Sequence, residues 1–552
     1  MSREKLTLRM GWLVIVALIA IAFFNGLHAP FVYDDKIEVV GNPTIRDLGQ
    51  LVAVLEYNVS RMLLILSYAW NYRSFGLDPF GYHVTSLVIH ALCVWSALNL
   101  AFRLGTLAGH RRPVWAALAA GSVWAVHPMV TEGVTYITGR SESLCALFVF
   151  STLSLWAGAL LREKEQGGVS VALRLLAIFL GFLSMGTKEV AIMIPFALVW
   201  MEWLLGTGRP KWRWYVPFLG AIILGVAGRA LYAEHLLPRE VDRPFLVQIS
   251  TQAEVWLRYL GLWLLPMGQT LYHHVADVTV PSGRGLGVFV ALGGVVFGVV
   301  RWTRSRPLVA FALGCAAIFL IPSSSVVALK ESMAEHRSYQ TGLYLALALV
   351  WSLPDKKVRL MGLGVAVLVP LFVTMTISRN KVWTSEVGLW EEATSLSPEV
   401  AEAWYGLGDA QRFAGNLESS VVAYETAIEK NDTHLDSWNN LGIVKAQMGD
   451  SHGARRAWKS ALKVKRTYCK AHANLGFLAS QLGDIEDAIV EFRTTLTYCP
   501  NNLVAHYGLG TLYADERRNR DRAVFHFEAL LELEPGFSRA VEVRERLLEL
   551  TW

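Results

Sequence analysis

Long apolar runs alternate with short polar connections over roughly the first two thirds of the chain, and the alternation stops near residue 377. A helix that crosses a bilayer needs about 20 apolar residues, and because some runs are shorter we expect their helices to continue into adjoining polar residues. The pattern predicts an all-α bundle of about 11 spans. We expect them at 10–27, 84–103, 113–127, 141–161, 171–186, 190–205, 214–233, 287–301, 307–322, 339–353 and 358–377.

Basic residues are concentrated in alternate connections between these spans, while longer, acid-containing loops lie at 28–83, 128–140, 234–286 and 323–338. Short basic loops are typical of the cytoplasmic side. An odd number of spans then predicts that the acidic loops and the polar tail share the opposite side. The run 251–268 could be another span, but counting it breaks the charge pattern, so we interpret it as an interfacial or re-entrant helix. The first apolar run lacks a cleavage site and is expected to be retained.

The polar tail repeats itself every 34 residues, as shown by Leu-Gly pairs at 407–408, 441–442, 475–476 and 509–510. Three further columns keep this period: Gly415, Gly449 and Gly483; Trp390, Tyr424, Trp458 and Phe492, with His526 as the exception; and Ala393, Ala427, Ala461 and Ala529, interrupted by Thr495. This period and these columns are typical of the tetratricopeptide repeat, in which small residues let two antiparallel helices pack closely.

The two patterns divide the chain. We predict a membrane domain at 1–377 with an external loop at 28–83, a half-repeat at 383–400, four repeats at 401–536 and a polar capping helix at 537–552. Since only 378–382 separates the last span from the half-repeat, we expect the array to lie close to the membrane face.

Composition agrees with a polytopic membrane protein, because 53% of the 552 residues are hydrophobic and 20 are Trp. The net charge of +5 is modest and gives no support for a nucleic-acid partner. Cys469 and Cys499 begin and end the third repeat, so they are predicted at the same end of a helical hairpin. They could form a disulfide outside the cytoplasm or remain reduced thiols. No cysteine spacing indicates a metal site.

Candidate chemistry begins at residues 28–40, where Asp34 and Asp35 follow the first span directly. Acids beside hydrocarbon are costly and favour a functional role. Other ionisable residues also lie where external loops meet spans: His83, His90, His127, Glu132, Arg140, Lys188, Glu189, Glu335, His336 and Arg337. A structural role is more plausible for His90 as a core histidine, and Glu132 with Arg140 or Lys188 with Glu189 could be ordinary ion pairs.

The combination suits transfer of a sugar from a lipid phosphate. A carboxylate can take a proton from an attacking hydroxyl, and cations can neutralise a phosphate leaving group across the sugar. The candidate phosphate-binding residues are Arg140, Lys188, His336 and Arg337. The chain has no glycine-rich phosphate loop, so a lipid-linked donor fits better than a nucleotide sugar.

Several short motifs, taken in order, resemble the transmembrane and tetratricopeptide-repeat proteins, which are relatives of the protein O-mannosyltransferases in the C-type glycosyltransferase superfamily. The motifs are Phe31-Val-Tyr-Asp-Asp35, Gly81-Tyr-His83, His127-Pro-Met-Val-Thr-Glu132, Gly139-Arg-Ser-Glu-Ser143, Gly186-Thr-Lys-Glu189 and Ala334-Glu-His-Arg-Ser-Tyr339. The resemblance implies a polyprenyl- or dolichyl-phosphate sugar donor, Asp34 as the base and Asp35 as the second acid.

The resemblance also assigns supporting roles to His83, Glu132, Glu189 and Glu335. One departure is Arg61-Met62, where Arg-Pro is expected. Relatives differ in metal use, and since no second Asp-x-Asp occurs in an external loop, we expect a metal-independent reaction without a cofactor.

The leading hypothesis is a membrane glycosyltransferase that moves a mannose-like sugar to a protein hydroxyl, with the repeats binding a protein or peptide acceptor. The alternative is a non-catalytic, membrane-anchored scaffold that recruits envelope proteins through the repeats. A lipid-carrier flippase or polymer ligase is a third possibility. Compact external loops favour a bacterial inner membrane with periplasmic repeats; an endoplasmic reticulum membrane with lumenal repeats is the eukaryotic counterpart.

Overall fold

The structure is a computed structural model that describes residues 2–47, 49, 51–206, 211–231, 243–279, 282–324, 328–329, 331–354, 358–516, 519–534 and 536–551. Over these residues the chain is helical and contains no strand, so the predicted all-α fold is confirmed. The chain forms two compact units, a membrane unit up to Leu389 and a repeat unit from Trp390 onward. This division falls inside the predicted half-repeat at 383–400.

The membrane unit consists of helices joined by short 3-10 turns. Its helices are α1 (Ser2–Phe23), α2 (Leu51–Asn58), α3 (Met62–Phe75), α4 (Pro79–Leu107), α5 (Pro113–Ala125), α6 (Thr131–Val134), α7 (Arg140–Gln166), α8 (Val171–Met185), α9 (Ile194–Leu205), α10 (Val216–Leu231), α11 (Phe245–Leu264), α12 (Gly283–Ser305), α13 (Pro307–Leu320), α14 (Tyr339–Ser352) and α15 (Val358–Val382). The next helix, α16 (Glu386–Leu396), begins in this unit and continues into the repeat unit.

Six segments of the described chain are long and apolar enough to cross a membrane, which makes the chain a membrane protein. They are Arg3–Gly26, Val52–Phe75, Pro79–Leu107, Arg140–Gln166, Gly283–Ser305 and Arg359–Val382. The pair Pro113–Ala125 and Pro128–Val134, bent by 66°, is a seventh if it counts as one broken span. The predicted count of about 11 is higher, because other predicted spans form helices well short of the ~20 residues that an upright span needs.

Segment Val52–Phe75 lies inside the predicted external loop 28–83, which is therefore largely helical. Its apolar pattern is broken by a polar 3-10 turn at Val59–Arg61, and that break hides the run from a search for continuous apolar stretches. The ambiguous run 251–268 lies in α11 and its following residues, and α11 is not among the apolar candidates.

The first and last membrane helices end side by side. Asn25 Nδ2 donates to the Ile377 carbonyl over 2.8 Å, and Asn380 Nδ2 donates to the Ala22 carbonyl over 3.0 Å. Helices α1 and α15 therefore run in the same direction and leave the bundle at the same face. Lys36 and Glu386 also form an ion pair at this face. The acidic loop and the exit of the membrane unit share one face, whatever the total number of spans.

The repeat unit is a series of antiparallel helix pairs. Its helices are α17 (Ala401–Phe413), α18 (Leu417–Lys430), α19 (Leu435–Gln447), α20 (Ser451–Val464), α21 (Cys469–Gln481), α22 (Ile485–Tyr498), α23 (Leu503–Asp515), α24 (Arg520–Leu533) and α25 (Ala540–Thr551). The glycine columns follow from close packing: a Cβ on Gly408 would lie 2.6 Å from the Tyr424 ring, and one on Gly476 would lie 2.9 Å from the Phe492 ring.

The fourth repeat departs from the 34-residue period by one residue. Helix α24 starts at Arg520, whereas α22 starts at Ile485, 35 residues earlier. Phe527, not His526, therefore packs against Gly510, and it is fully buried. Leu530 is likewise fully buried, and the predicted column position of Ala529 is wrong. The shift explains why His526 broke the aromatic column.

A second column of residues, each an aromatic ring with a nitrogen, stabilises the turns between repeats. The ring nitrogens of Trp404, Trp438, His472 and His506 lie 2.8, 2.8, 3.0 and 2.9 Å from the carbonyl oxygens of Pro398, Asp432, Arg466 and Pro500. Each aromatic ring thus bonds the carbonyl six residues before it. Cys469 and Cys499 form a disulfide across the ends of α21 and α22, which resolves the alternative of reduced thiols.

Displaced from the core by the shift, His526 makes the last repeat sensitive to acid. Its Nδ1 lies 3.1 Å from His506 Nδ1, and His506 Nε2 is already engaged by the Pro500 carbonyl. Burial, with His506 and Arg522 nearby, lowers the pKa of His526 to about 4. Because the unfolded chain binds the proton more readily, stability is present near neutral pH and is lost as pH falls from about 6.5 toward 4. We expect hydrogen exchange in α23 and α24, corrected for intrinsic rates, to rise at pH 5 relative to pH 7.

The matched variant is His526→Asn, which should remove most of this difference. The exposed His452 provides the control, since His452→Asn should leave it unchanged. Equal acid sensitivity in wild type and His526→Asn would contradict the assignment.

Candidate active site

The acidic loop follows α1 and is fixed by an unusual backbone at Tyr33. Its φ is +51°, in the left-handed region that a residue with a Cβ seldom adopts. The chain then enters a helical turn at Lys36–Val40. Such strain is retained where surrounding contacts hold the residue in place.

Asp35 is a buried structural acid. Only 1% of it is exposed, and its Oδ1 accepts the Thr138 backbone N–H over 2.7 Å and the Thr138 hydroxyl over 2.6 Å. Its Oδ2 accepts the Val32 N–H over 3.2 Å. Burial raises the pKa of Asp35 to about 7, although the Thr138 bonds oppose the rise. These bonds tie the acidic loop to the residues before α7.

Asp34 is half-buried and makes no ion pair within the described residues. Burial, followed by the charge of Glu331, raises the pKa of Asp34 to about 6, and the Tyr136 hydroxyl opposes this rise. That hydroxyl is buried and has no partner at hydrogen-bonding distance within the described chain. A carboxylate with such a pKa is mostly ionised at pH 7 yet is a stronger base than an ordinary Asp, which suits proton abstraction.

Across from the acids, the 3-10 turn Glu335–Ser338 presents His336 and Arg337. His336 Nδ1 lies 2.8 Å from Glu132 Oε1, and its backbone N–H donates to Glu132 Oε2 over 2.8 Å. Burial, with Lys188 and Arg337 nearby, lowers the pKa of His336 to about 3. The lowered pKa favours the neutral imidazole, and the role of His336 as a phosphate-binding cation stays a prediction.

Arg337 is paired with Glu331, an acid that the sequence did not single out. Arg337 Nη1 donates to the Glu331 carbonyl over 2.8 Å, while Nη2 lies 3.9 Å from the Glu331 carboxylate. Glu331 Oε1 also accepts the Tyr33 hydroxyl over 2.9 Å. Glu331 thus links the acidic loop to the turn that carries Arg337.

Glu335 is enclosed by the loop that follows α11. Gln269 Nε2, the Thr270 N–H and His273 Nε2 all lie 2.8 Å from its carboxylate. Burial works against ionisation, but the His273 contact and the other donors hold the pKa of Glu335 below its ordinary value. With 1% of its surface exposed, Glu335 supports the turn rather than reaching a substrate.

The ion pairs around Lys188 differ from those expected. Lys188 Nζ lies 2.5 Å from Glu142 Oε1, whereas Glu189 lies 3.9 Å from Arg61 and accepts the Ser60 hydroxyl over 3.3 Å. The Lys188–Glu189 and Glu132–Arg140 pairs, which the sequence left open as an alternative, do not form among the described residues. Sequence neighbours at this tip point to different partners, one on α7 and one near the 3-10 turn before α3.

Arg140 is fully buried, and its guanidinium donates hydrogen bonds to neutral groups. It donates to Ser86, Ser67, Asn71 and the Tyr82 carbonyl over 2.7–3.1 Å, and it lies over the Tyr68 ring. None of these contacts within the described chain is with Lys188, His336 or Arg337. This geometry joins α3, α4 and α7, so a phosphate role for Arg140 requires rearrangement.

The remaining histidines are structural. His90 lies between the Tyr339 hydroxyl at 2.5 Å and the Ala125 carbonyl at 2.9 Å, as a core histidine should. His83 Nε2 is 2.9 Å from the Ala29 carbonyl, which fixes the start of the acidic loop. His127 caps the turn at Pro128–Val130. No group of three His, Cys, Asp or Glu side chains within the described ranges is arranged to hold a metal ion.

Comparison with known proteins places this arrangement in context. The tetratricopeptide repeat family matches residues 387–435. The chain is 23% identical over 450 residues to Protein O-mannosyl-transferase F38B6.6 of Caenorhabditis elegans, covering 76% of this chain and 63% of that protein. It is 25% identical over 488 residues to human Protein O-mannosyl-transferase TMTC4, covering 75% and 65%.

These similarities agree with the resemblance of the sequence motifs to the transmembrane and tetratricopeptide-repeat proteins. A shorter match of 190 residues to Drosophila melanogaster Protein O-mannosyl-transferase Tmtc1 reaches 30% identity, over 32% of this chain and 21% of that protein. The chain spans somewhat less than two thirds of the length of the nematode and human relatives.

Solved repeat structures also match. TTC0263, a thermophilic TPR protein in Thermus thermophilus, is 20% identical and covers 33% of this chain and 94% of that chain, with a TM-score of 0.26. At that score the match adds nothing to what the repeat columns already establish.

The contacts of the two adjacent acids predict that substitution of Asp35 lowers stability far more than substitution of Asp34. Asp35→Ala leaves the Thr138 and Val32 donors buried without an acceptor, at a cost of about 1–3 kcal/mol for each unsatisfied group. We expect a fall of several degrees in the melting temperature of the full chain in detergent. Asp34→Ala is the matched control and should change it little; equal losses would contradict the division of roles.

Proposed function

We propose that the chain is an integral membrane glycosyltransferase that moves a mannose-like sugar from a polyprenyl or dolichyl phosphate to a protein hydroxyl. The observation that carries this proposal is Asp34, a half-buried carboxylate whose pKa is raised by burial and by Glu331, the acid that pairs with Arg337. Homologues named as protein O-mannosyltransferases support the same reaction class.

In this mechanism Asp34 takes the proton from the acceptor hydroxyl as its oxygen bonds to the anomeric carbon. The bond between that carbon and the phosphate oxygen breaks, and the electron pair leaves with the lipid phosphate. Attack opposite the leaving group inverts the anomeric centre. Asp35 holds the loop through Thr138 and does not touch the reacting atoms.

We assign the leaving phosphate to Arg337 and Lys188, two of the four predicted phosphate-binding residues. Each already faces a protein acid, Arg337 at 3.9 Å and Lys188 at 2.5 Å, so the phosphate would take over part of that pairing. Arg337 has the looser pair and is the first candidate. His336, whose ring and backbone N–H both contact Glu132, orients the turn and offers a hydrogen bond.

We further propose that the reaction and the repeats lie on the non-cytoplasmic side, in a periplasm or an endoplasmic reticulum lumen. The parallel exits of α1 and α15 support a common face for the acids and the exit of the membrane unit. The disulfide in the third repeat supports an oxidising compartment. The repeats would then bind the protein or peptide acceptor.

A scaffold function has one observation in its favour: the cations Lys188 and Arg337 are already paired with protein acids. Under that alternative the chain would recruit proteins through its repeats without turning over a donor. Incubation of the purified chain with radiolabelled polyprenyl-phosphate sugars and a hydroxyl-bearing peptide separates the two functions.

The role of Asp34 as a base makes two predictions. Its substitution should lower the rate of transfer, and the wild-type rate should fall at low pH, which gives an acidic limb in the pH profile. Asp34→Asn should lower transfer by at least 100-fold, since loss of a general base typically costs roughly 10²–10⁴-fold. The wild-type rate should fall as pH drops below about 6, because the protonated carboxyl can no longer accept a proton. Rates of radiolabelled transfer between pH 5 and 8 measure both effects.

The matched control for this experiment is Glu56→Gln, which removes an exposed acid from the same loop. It should transfer sugar at the wild-type rate. Full transfer by Asp34→Asn at pH 7 would rule out the proposed base.

The proposed side of the repeats can be measured with their cysteines. After mild reduction, a membrane-impermeant maleimide should label Cys469 and Cys499 in right-side-out vesicles and not in sealed inside-out vesicles. Cys93, Cys145 and Cys315 are buried in the membrane unit and should stay unlabelled. A Cys469→Ser/Cys499→Ser variant gives the background, and labelling only in inside-out vesicles would reverse the assigned side.

A further inference from the structure

Glu331 contacts both the acidic loop, from a segment about 300 residues later in the chain, and the turn that carries Arg337. Its Oε1 accepts the Tyr33 hydroxyl over 2.9 Å. Its backbone carbonyl accepts Arg337 Nη1 over 2.8 Å. The same residue therefore touches the neighbour of the proposed base and the first candidate for the leaving phosphate.

The Tyr33 contact explains the backbone strain next to Asp34. A tyrosine at φ +51° is unfavourable unless the fold holds it. The hydroxyl bond to Glu331 holds the far end of this side chain, while the Tyr33 N–H donates to Glu386 Oε1 over 3.4 Å. Acids therefore hold both the hydroxyl and the backbone N–H of Tyr33, and the backbone of Tyr33 leads directly into Asp34.

We propose that Glu331 is a positioning residue for Asp34, holding the strained loop through Tyr33 and placing a second negative charge beside the proposed base. This role rests on the proposed glycosyl transfer. Glu331 need not touch the substrate, since it acts through Tyr33 and through its charge. The Arg337 guanidinium, 3.9 Å from the same carboxylate, would be shared between Glu331 and a lipid phosphate.

Charged groups from several elements act on Asp34 and Tyr33, and among the acids Glu331 has the largest effect on both. After burial, Glu331 is the next contributor that raises the pKa of Asp34, ahead of Glu38, while Tyr136 and Arg61 act in the opposite direction. Glu331 and Asp34 likewise raise the pKa of the Tyr33 hydroxyl, after burial. The other charged or titratable groups around them are Asp35, Arg337, His336 and the Lys36–Glu386 pair.

Removing this charge should make Asp34 a weaker base. In Glu331→Gln the pKa of Asp34 should fall, so the acidic limb of the kcat/KM profile should move down by roughly 0.5–1 pH unit. Above pH 7 the variant should also transfer more slowly, because Tyr33 loses its charged acceptor. The measurement is radiolabelled transfer by the full chain in detergent between pH 4.5 and 8, with a polyprenyl-phosphate sugar and a hydroxyl-bearing peptide.

Two further variants separate charge from folding. Glu331→Asp keeps the charge, so its limb should stay within about 0.3 units of wild type even if the rate falls. Tyr33→Phe keeps Asp34 and Glu331 but releases the loop. Its rate of transfer should therefore fall, while the acidic limb of its pH profile shifts less than in Glu331→Gln. Glu56→Gln again provides the control with an unchanged limb.

The outcomes show whether the role of Glu331 fails alone or together with the proposed glycosyl transfer. A wild type that transfers sugar with an acidic limb, together with a limb that does not move in Glu331→Gln, overturns the role of Glu331 alone. A limb that moves equally in Glu331→Asp overturns it as well, because charge would then not be the cause. A wild type that transfers no sugar at any pH overturns the proposed function and this role with it.

Discussion

Charge next to a bilayer is tolerated only when another part of the chain compensates it, and this constraint organises the membrane unit. Lys188 is paired with Glu142, Glu132 holds His336, and Glu335 is enclosed by donors from the loop after α11. Each pair joins segments distant in sequence. The pairs therefore fix the loops to one another, and the loops in turn fix the direction of Asp34.

The same constraint separates two neighbouring acids that are identical in chemistry. Asp35 satisfies both of its oxygens with backbone and hydroxyl donors, so it is part of the architecture. Asp34 lacks such partners and lies near Glu331 and the Tyr136 hydroxyl. The left-handed backbone at Tyr33 lies directly before these two acids.

Much of the fold could be predicted from periodicity, because apolar runs and repeat columns record local packing directly. The family resemblance also selected segments that the structure does bring together, as in the contact between Glu132 and His336. The partners could not be predicted: Glu331 sits in an inconspicuous segment, and only tertiary contact reveals that it accepts Tyr33. The possible Lys188–Glu189 pair does not form, because the two adjacent side chains on this tip contact different partners.

The additional residue before α24 has a consequence for how the last hairpin meets a ligand. A one-residue displacement on a helix rotates every later side chain by about 100°, so residues chosen by counting in steps of 34 would sit on the wrong side of that helix. Phe527 and Leu530 have moved inward to seal the stack, and His526 has been turned toward the neighbouring helix. A ligand-binding pattern that repeats along the second helices of this array would therefore be out of register at the final hairpin.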